Sequence, residues 1–297
     1  MDSAPHDLPK LPPRDSASHK GDCGRVLFIA GSYGMAGAAV LAAEGALRSG
    51  VGYVEIACAA RLVPAFTKAL PAAILHPLGS DDRETLLHED VPQLLRFANS
   101  CQAVVIGPGL GPPAGASPWV PQLLKQLQQA QPKLGIVLDA DGLNHLAVSA
   151  AGLQLCGPSM LLTPHPGEAA RLLHLSHAAA VQADRNLAME KLTHASSATF
   201  LLKGENTLIG AKGKETAVNP SGNVGMATAG SGDVLSGHLG ALLAFGLAPF
   251  DAARLGAYLH GRAGDLFAAQ WGTDGLTASD LAHWLSKAMQ EWRTSSC

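Results

Sequence analysis

The chain has 297 residues, 47% of them hydrophobic and 15% charged, with a formal net charge of −3. It is long enough to bury a large core, and its charge argues against a general nucleic-acid-binding or membrane-surface protein. Five scattered cysteines without a CxxC pair predict a reducing compartment and no zinc site. The sequence shows neither a basic-then-apolar leader nor a long uninterrupted apolar run. We therefore expect a cytoplasmic protein with no membrane association.

The first 22 residues are rich in Pro, Ser, Asp and Lys, and we expect residues 1–22 to form a mobile arm. From residue 23 to 297, apolar runs of strand length alternate with helical patterns, without a linker or an internal repeat. This alternation predicts a single domain, 23–297, with a three-layer α/β/α architecture around a mostly parallel sheet.

The first predicted strand, residues 25–30, leads through a loop of small residues into an alanine-rich helix at residues 38–49. In open α/β sheets ligands lie beyond the carboxyl ends of the strands, so this loop is part of a candidate site. Small side chains at residues 36–38 would let a flat ring or a sugar approach the helix. Close packing of helix on sheet explains the alanines deeper in the helix equally well.

A strand at residues 51–58 and a helix at 61–68 are predicted next, followed by a strand at 103–106 that ends directly at Gly107-Pro108-Gly109-Leu110-Gly111. Glycines at such a junction leave backbone amides available to a ligand. A simple tight turn is the competing interpretation.

Two carboxylates, Asp139 and Asp141, follow the predicted strand at residues 135–138. Acids two positions apart at a strand end suit Mg²⁺ held partly through water beside phosphates, and we assign Asp139 to the side facing the site. Alternatively, one of the two aspartates caps the short helix that follows.

His165 stands between two prolines after the predicted strand at residues 160–162, and a helix follows to residue 173. The prolines fix the backbone and remove two amides, so a stiff loop presents the imidazole at the end of the strand. We interpret His165 as a ligand contact, although a lone histidine is usually structural or exposed.

Residues 178–194 are predicted to form one amphipathic helix with little sign of chemistry. The next strand, residues 199–202, ends at Lys203, a candidate cation for nucleotide phosphate or ribose. A lysine that merely ends an edge strand is the alternative. Residues 208–213 are predicted to form a hairpin turn.

A glycine-rich stretch at residues 219–240 leads into a predicted helix. Gly230 and Gly232 let the backbone approach a ligand, and the unpaired amides and dipole of the first helical turn favour an anion such as phosphate. Asp233 would repel phosphate, so we interpret it as the acceptor of a proton from an attacking hydroxyl, or as a group that works through a metal. An acid favoured there by the helix dipole alone is the alternative.

Two helices complete the chain, at residues 249–269 and 277–292. The second opens with Thr277 and Asp280 in the spacing of a capping box, with Asp in place of the usual Glu.

Seven short motifs occur in order: SHKG, AGSYGMAGAA, IGPGLG, LDADGLN, LTPHPGE, LLKGENT and NPSGNVGMATAGSGD. Together they resemble the ADP-dependent NAD(P)H-hydrate dehydratases, from about residue 14 to the C-terminus. The resemblance implies a ribokinase-like fold, in which GxGD supplies an anion hole and a catalytic Asp. Ala229 departs from the pattern, because a glycine is expected there. Its Cβ disfavours a positive φ, so the loop is expected to enter the anion hole slightly differently.

The family resembled repairs NADH or NADPH that has been hydrated at the nicotinamide ring. ADP, or ATP in some members, donates a phosphoryl group to the new hydroxyl, and phosphate then leaves. The products are AMP, phosphate and NAD(P)H, so the enzyme is formally a lyase. The resemblance implies Mg²⁺, a homo-oligomer (a tetramer), and NAD(P)H-hydrate epimerase as a functional partner supplied by another protein.

The resemblance also assigns residues, motif by motif. Asp233, Gly230 and Gly232 form the catalytic set, in which Asp233 takes the hydroxyl proton while the amides and Mg²⁺ stabilise charge on the phosphoryl group. The hydrate would contact Ala38, Gly109, His165 and Asp233. The adenine nucleotide would be held by Lys203, Gly204, Glu205, Asn206, Thr207 and Gly232.

Two other functions remain open from the sequence. A small-molecule kinase of the same fold would phosphorylate a vitamin precursor, but the His165 loop and KGENT argue against it. A non-catalytic nucleotide-binding sensor is the second alternative, and the intact Asp233 argues against that.

Overall fold

A mostly parallel sheet forms the middle of the molecule. The computed structural model describes residues 7–13, 17–113, 119–149 and 151–295, and within them the sheet has nine strands in the order β3-β2-β1-β4-β5-β6-β7-β8-β9. β1 to β7 run parallel to one another, and β8 and β9 add an antiparallel edge. The strands are β1 (Arg25–Ile29), β2 (Tyr53–Ala59), β3 (Ile74–Leu78), β4 (Ala103–Ile106), β5 (Gly135–Leu138), β6 (Met160–Leu162), β7 (Thr199–Leu202), β8 (Leu208–Ala211) and β9 (Ala217–Val218).

Helices cover both faces of the sheet. Alternate residues of each central strand point to opposite faces. In β1, Val26 and Phe28 join one buried core, and Leu27 and Ile29 join the other. The predicted three-layer α/β/α architecture is therefore confirmed. The helices described are α1 (Ala36–Ser49), α2 (Val63–Ala69), α3 (Val91–Ala98), α4 (Trp119–Ala130), α5 (Ala140–Ala147), α6 (Pro166–Leu172), α7 (Ala178–Ala183), α8 (Arg185–Ala195), α9 (Ser231–Ala244), α10 (Pro249–Trp271) and α11 (Ala278–Ser295).

The predicted strands β4, β5, β6 and β7 are confirmed residue for residue. The prediction of one helix over residues 178–194 is wrong, because α7 ends before Asp184 and α8 begins after it. The Asp184 side chain accepts a hydrogen bond from the Leu187 amide (2.8 Å) and so caps α8. The prediction of a hairpin turn over residues 208–213 is also wrong in part, because residues 208–211 form β8.

The strand order reverses direction next to β1, which lies between β2 and β4. Loops that follow β1 and β4 therefore flank a crevice at the carboxyl end of the sheet, where open α/β folds bind ligands. The Ser32 hydroxyl donates to the Gly109 carbonyl (2.9 Å), and the Gly31 amide donates to the Pro108 carbonyl (2.9 Å). These bonds hold the two loops together.

Part of the predicted arm packs on α10 and α11. Leu11 is buried, and the Trp292 indole donates to the Pro9 carbonyl (3.3 Å). The Arg293 guanidinium donates to the Pro12 carbonyl (2.8 Å), and Arg254 forms an ion pair with Asp7. Residues 1–6 and 14–16 lie outside the described residues. The mobility of the arm stays a prediction.

Among the described residues, no helix combines the length and the apolar character needed to cross a membrane.

Candidate active site

The glycine-rich loop enters α9 through Gly230, which has a φ of 88°. A Cβ on Gly230 would lie 2.4 Å from the Leu41 Cδ1 atom and 3.0 Å from the Ala278 Cβ atom, so only glycine fits this position. Ala229 is not among the described residues with positive φ. The departure from the family pattern at Ala229 therefore places no side chain in a left-handed conformation.

A buried histidine supports the first turn of α9. The His260 Nε2–H donates to the Ser231 carbonyl (3.0 Å), and His260 is 7% exposed. Burial lowers the pKa of His260 to about 4, so the imidazole donates as a neutral ring at neutral pH. A Cβ on Gly232 would lie 3.4 Å from the Lys203 Nζ atom, which places an ammonium beside the anion-binding turn.

Lys203 stands in a cluster of carboxylates. Its Nζ atom lies 2.7 Å from Asp139 Oδ1 and 3.8 Å from Glu168 Oε2. The Ser236 hydroxyl donates to the other Asp139 oxygen. Burial would raise the pKa of Asp139, but the Lys203 charge and these hydrogen bonds outweigh burial and hold the pKa below its ordinary value. Burial would lower the pKa of Lys203, but Asp139 and Glu168 raise it. Both partners are therefore ionised.

Asp233 shares this charged environment. Burial, and after it the Asp139 charge, raises the pKa of Asp233 to about 7, although Lys203 lowers it. Burial likewise raises the pKa of Glu168 to about 7. The Lys203 ammonium is shared among several acids and cannot neutralise all of them. Asp233 and Glu168 therefore have pKa values close to neutral pH. A carboxyl group of this kind, placed beside an anion-binding turn, suits general-base chemistry.

His165 is fixed by α6, whose N-cap it forms. Its Nδ1 atom accepts a hydrogen bond from the Gly167 amide (2.9 Å), and its Nε2 atom lies 3.3 Å from Glu168 Oε1. The Glu168 Oε2 atom in turn accepts from the His165 amide (2.8 Å), which completes a capping box. Burial and the Lys203 charge lower the pKa of His165, so the ring is neutral at neutral pH. The Lys203 amide donates to the Pro164 carbonyl (2.9 Å) and joins this loop to the end of β7.

Ala38 and Gly109 meet at the crevice between β1 and β4. Gly109 has a φ of 62°, and a Cβ on it would lie 3.1 Å from the Ala38 Cβ atom and 2.3 Å from the Met35 carbonyl oxygen. A Cβ on Gly107 would lie 1.9 Å from the Asp139 carbonyl oxygen. The loop after β4 therefore lies close to both the start of α1 and the start of α5.

Residues 204–207 form a turn after β7. The Thr207 hydroxyl donates to the Gly204 carbonyl (2.9 Å), and Asn206 has a φ of 51°. The Arg185 guanidinium donates to the Leu202 carbonyl (3.0 Å) and to the Glu205 carbonyl. The first residue of α8 thus supports the segment assigned to the adenine nucleotide, and the side chains of Glu205 and Asn206 remain exposed.

Asp139 is engaged by protein groups on both carboxylate oxygens. It occupies the N-cap position of α5, but its side chain makes no capping hydrogen bond. No group of three or more His, Cys, Asp or Glu in the described part of the chain is arranged to hold a metal ion. Asp141 accepts a hydrogen bond from the Gly111 amide (2.9 Å). The metal-binding role of Asp139 stays a prediction.

The structure brings together Asp233, Gly232, Lys203, Asp139 and His165 at the carboxyl ends of β5, β6 and β7. Ala38 and Gly109 lie together at the ends of β1 and β4. Sequence reasoning missed four supporting residues: Glu168, Arg185, Ser236 and His260. Only Glu168 had a local signal, because it follows His165 at the spacing of a capping box.

Comparisons with known proteins identify the family of the chain. The family model described as NAD(P)H-hydrate dehydratase matches residues 26–287. An ADP-dependent (S)-NAD(P)H-hydrate dehydratase from Neisseria meningitidis is 40% identical over 91% of this chain and 86% of its own length. This chain also matches bifunctional NAD(P)H-hydrate repair enzymes, and it spans about half the length of these curated relatives.

Solved structures show the same fold. An ADP/ATP-dependent NAD(P)H-hydrate dehydratase from Bacillus subtilis, co-crystallised with ATP and Mg²⁺, has a TM-score of 0.74 and 27% identity, covering 97% of this chain and 100% of that one. A ribokinase-like superfamily protein from Enterococcus faecalis has a TM-score of 0.77 and 25% identity, covering 95% of this chain and 92% of that one. The predicted ribokinase-like fold is confirmed, and the chain belongs to the NAD(P)H-hydrate dehydratase family.

Proposed function

We propose that this protein is an ADP-dependent dehydratase that converts (S)-NAD(P)H-hydrate to NAD(P)H, with release of AMP and phosphate. The observation that carries the proposal is the position of Asp233. Its carboxyl group has a pKa raised to about 7 and belongs to the first turn of α9, whose amides are unpaired within the helix. Family membership favours this activity over the kinase and sensor alternatives.

The proposed reaction has two parts. Asp233 removes the proton from the hydroxyl of the hydrated ring while that oxygen attacks the terminal phosphorus of ADP, and the bond from phosphorus to AMP breaks. The carbon–oxygen bond of the phosphorylated hydrate then breaks, phosphate leaves with the bonding electrons, and the neighbouring carbon loses a proton to form the double bond. ADP and hydrate are thus converted to AMP, phosphate and NAD(P)H.

The chain's own residues would bind and orient both substrates. Residues 204–207 hold the adenine nucleotide and place its phosphates over the α9 turn, where residues 230–232 offer backbone amides. Lys203 and Asp139 sit as a fixed ion pair beneath this turn, so Lys203 adds positive charge near the phosphates. Ala38, Gly109 and His165 hold the hydrate. Loss of one preorganised donor typically costs about 3 kcal/mol of barrier, so several amides matter more than one side chain.

Magnesium is proposed as part of the nucleotide substrate. The relative from Bacillus subtilis was crystallised with ATP and Mg²⁺. In this chain the two Asp139 oxygens already accept hydrogen bonds from Lys203 and Ser236, and the described acids form no metal-binding cluster. We therefore expect the ion to arrive bound to the phosphates of ADP or ATP.

The bifunctional relatives also indicate a partner enzyme. Relatives that combine two repair activities in one chain support an NAD(P)H-hydrate epimerase as the functional partner. A homo-oligomer, specifically a tetramer, and a cytoplasmic location remain predictions, and light scattering of the purified protein tests the tetramer.

The proposal is tested with purified protein, chemically hydrated NADH, Mg²⁺ and either ADP or ATP. We expect recovery of reduced-nicotinamide absorbance, with one AMP formed per NADH when ADP is the donor. A stable phosphorylated product without NADH would instead indicate a small-molecule kinase. Nucleotide binding without AMP formation would indicate a sensor.

A further inference from the structure

A groove of about 730 Å³ opens on the side of the sheet that carries α5 and α6. Pro112 and Pro113, in the loop after β4, and Val148, which follows α5, line the groove. Arg171, in the last turn of α6, and Leu175, beyond that helix, also line the groove. The groove therefore combines apolar surfaces with one guanidinium.

Two segments that line the groove also carry residues assigned to the hydrate. Pro112 belongs to the same loop as Gly109, and Arg171 belongs to the helix that His165 caps. A Cβ on Gly167, whose amide binds the His165 ring, would lie 4.0 Å from the Arg171 Nη1 atom. The segment assigned to the adenine nucleotide follows β7, beyond the strands whose loops line the groove. A ligand in the groove would thus extend from the hydrate and not from ADP.

Arg171 is held in a defined orientation. Its Nε atom donates to Asn144 Oδ1 (2.9 Å), and the Asn144 amide donates to Asp141 Oδ1 (3.1 Å). Asp141 also accepts from the Gly111 amide, so the chain of hydrogen bonds reaches the loop after β4. Within the described residues, no acceptor is hydrogen-bonded to the two terminal nitrogens of Arg171. A guanidinium oriented in this way can bind phosphate through two parallel hydrogen bonds.

The proposed substrate has a large remote half that must be accommodated. A dinucleotide hydrate carries a diphosphate and an adenosine beyond the reacting nicotinamide ring. Of the other cations at this edge, Lys203 is assigned to the phosphates of ADP, and Arg185 donates to the carbonyls of Leu202 and Glu205. Val148 is 59% exposed and, with the two prolines, offers an apolar surface to a purine ring.

We propose that this groove binds the adenosine diphosphate half of the dinucleotide hydrate, with Arg171 contacting one of its phosphates. This inference rests on the proposed function. It makes Arg171 a determinant of substrate affinity that does not touch the reacting atoms, so its loss affects KM and leaves kcat unchanged.

The test compares Arg171→Gln with the parent protein and with Arg96→Gln, which changes an exposed arginine on α3 outside the groove. Each protein is assayed with the hydrates of NADH, NADPH and reduced nicotinamide mononucleotide, the last of which lacks the remote half. For Arg171→Gln we expect KM to rise at least about tenfold for the dinucleotide hydrates, the scale of a lost charge-assisted hydrogen bond. KM for the mononucleotide hydrate should stay within about twofold, and Arg96→Gln should behave as the parent.

Each outcome is decisive. A rise in KM for both dinucleotide hydrates supports contact with the bridging diphosphate, and a rise confined to NADPH-hydrate supports contact with the 2′-phosphate. The inference is overturned if KM for the dinucleotide hydrates does not change, if KM for the mononucleotide hydrate rises equally, or if only kcat falls. If the parent turns over none of the hydrates, the proposed function itself fails, and this inference fails with it.

Discussion

At the scale of single residues, the site is governed by one ammonium among several carboxylates. Lys203 is committed to Asp139 at 2.7 Å, and that pair satisfies both charges. Burial raises the pKa of Asp233 and of Glu168, the Asp139 charge adds to the rise, and the Lys203 charge offsets only part of it. Each carboxyl group therefore has a pKa of about 7. A base with this pKa is mostly ionised just above neutral pH yet still binds a proton strongly enough to remove it from a hydroxyl.

The raised pKa of Asp233 predicts the pH dependence of activity. Only the ionised carboxyl group can accept the hydroxyl proton, so kcat/KM should fall about tenfold for each pH unit below about 7 and level off above it. The measurement is a pH series of initial rates with NADH-hydrate and ADP. A rate that is flat down to pH 5 would show that Asp233 does not titrate in the rate-limiting step.

The raised pKa of Asp233 also predicts that the stability difference between Asp233→Asn and the parent protein depends on pH. The Asp233 pKa is about 7 in the folded protein and 3.8 as its ordinary value, so the folded protein holds this proton more tightly than the unfolded chain does. Any stabilisation from the proton is complete below about pH 4 and is lost as the pH rises through about 7. Asp233→Asn cannot ionise, so its Tm should exceed that of the parent by a margin that grows between these pH values. Equal Tm values at pH 8 would contradict a buried, destabilised carboxylate.

At the scale of elements, local sequence signals predicted the regular parts and missed the supporting contacts. β4 to β7 were predictable because continuous apolar runs end at glycine or polar residues. The break between α7 and α8 was not predicted, because Asp184 lies inside a run of helix-forming residues and acts through its side chain. Arg185, Ser236 and His260 reach their partners across 17 or more residues of sequence, except for the local Ser236 bond to Gly232. No local pattern reports such contacts.

The entry into α9 gives a prediction that separates backbone strain from steric conflict. Gly230→Ala meets both, because φ is 88° and the new Cβ would approach the Leu41 side chain to 2.4 Å. Gly246, after α9, has a φ of 90° and open space around the corresponding position. We expect each variant to lose about 1–3 kcal/mol of stability from the backbone alone. Only Gly230→Ala should also lower kcat, by displacing the anion-binding amides. Equal activity in the two variants would remove this turn from the mechanism.

At the scale of the whole molecule, residues 7–13 near the N-terminus pack on the two C-terminal helices. Leu11 is 8% exposed and joins the core beneath α10 and α11. The carbonyls of Pro9 and Pro12 accept hydrogen bonds from α11. None of these hydrogen bonds involves a residue assigned to the candidate site, so they should contribute to stability more than to chemistry.

Removal of residues 1–13 should therefore lower Tm while leaving kcat near the parent value. The buried Leu11 side chain alone accounts for about 2 kcal/mol by area. Leu11→Ser in the full chain is the matched variant, and it should reproduce most of the loss. Thermal unfolding and the hydrate assay measure the two properties. An unchanged Tm, or a loss of kcat without a change in Tm, would contradict this assignment.

The most direct test of the proposed chemistry is the turnover of NADH-hydrate with ADP by Asp233→Asn, compared with Asp251→Asn. Asp251 is the third residue of α10 as Asp233 is of α9, so both substitutions remove an acid from a first helical turn. We predict that both variants fold, that Asp251→Asn keeps near-normal turnover, and that Asp233→Asn loses at least about a hundredfold in kcat, the usual scale for loss of a general base. Near-normal formation of AMP and NADH by a folded Asp233→Asn protein would contradict the mechanism.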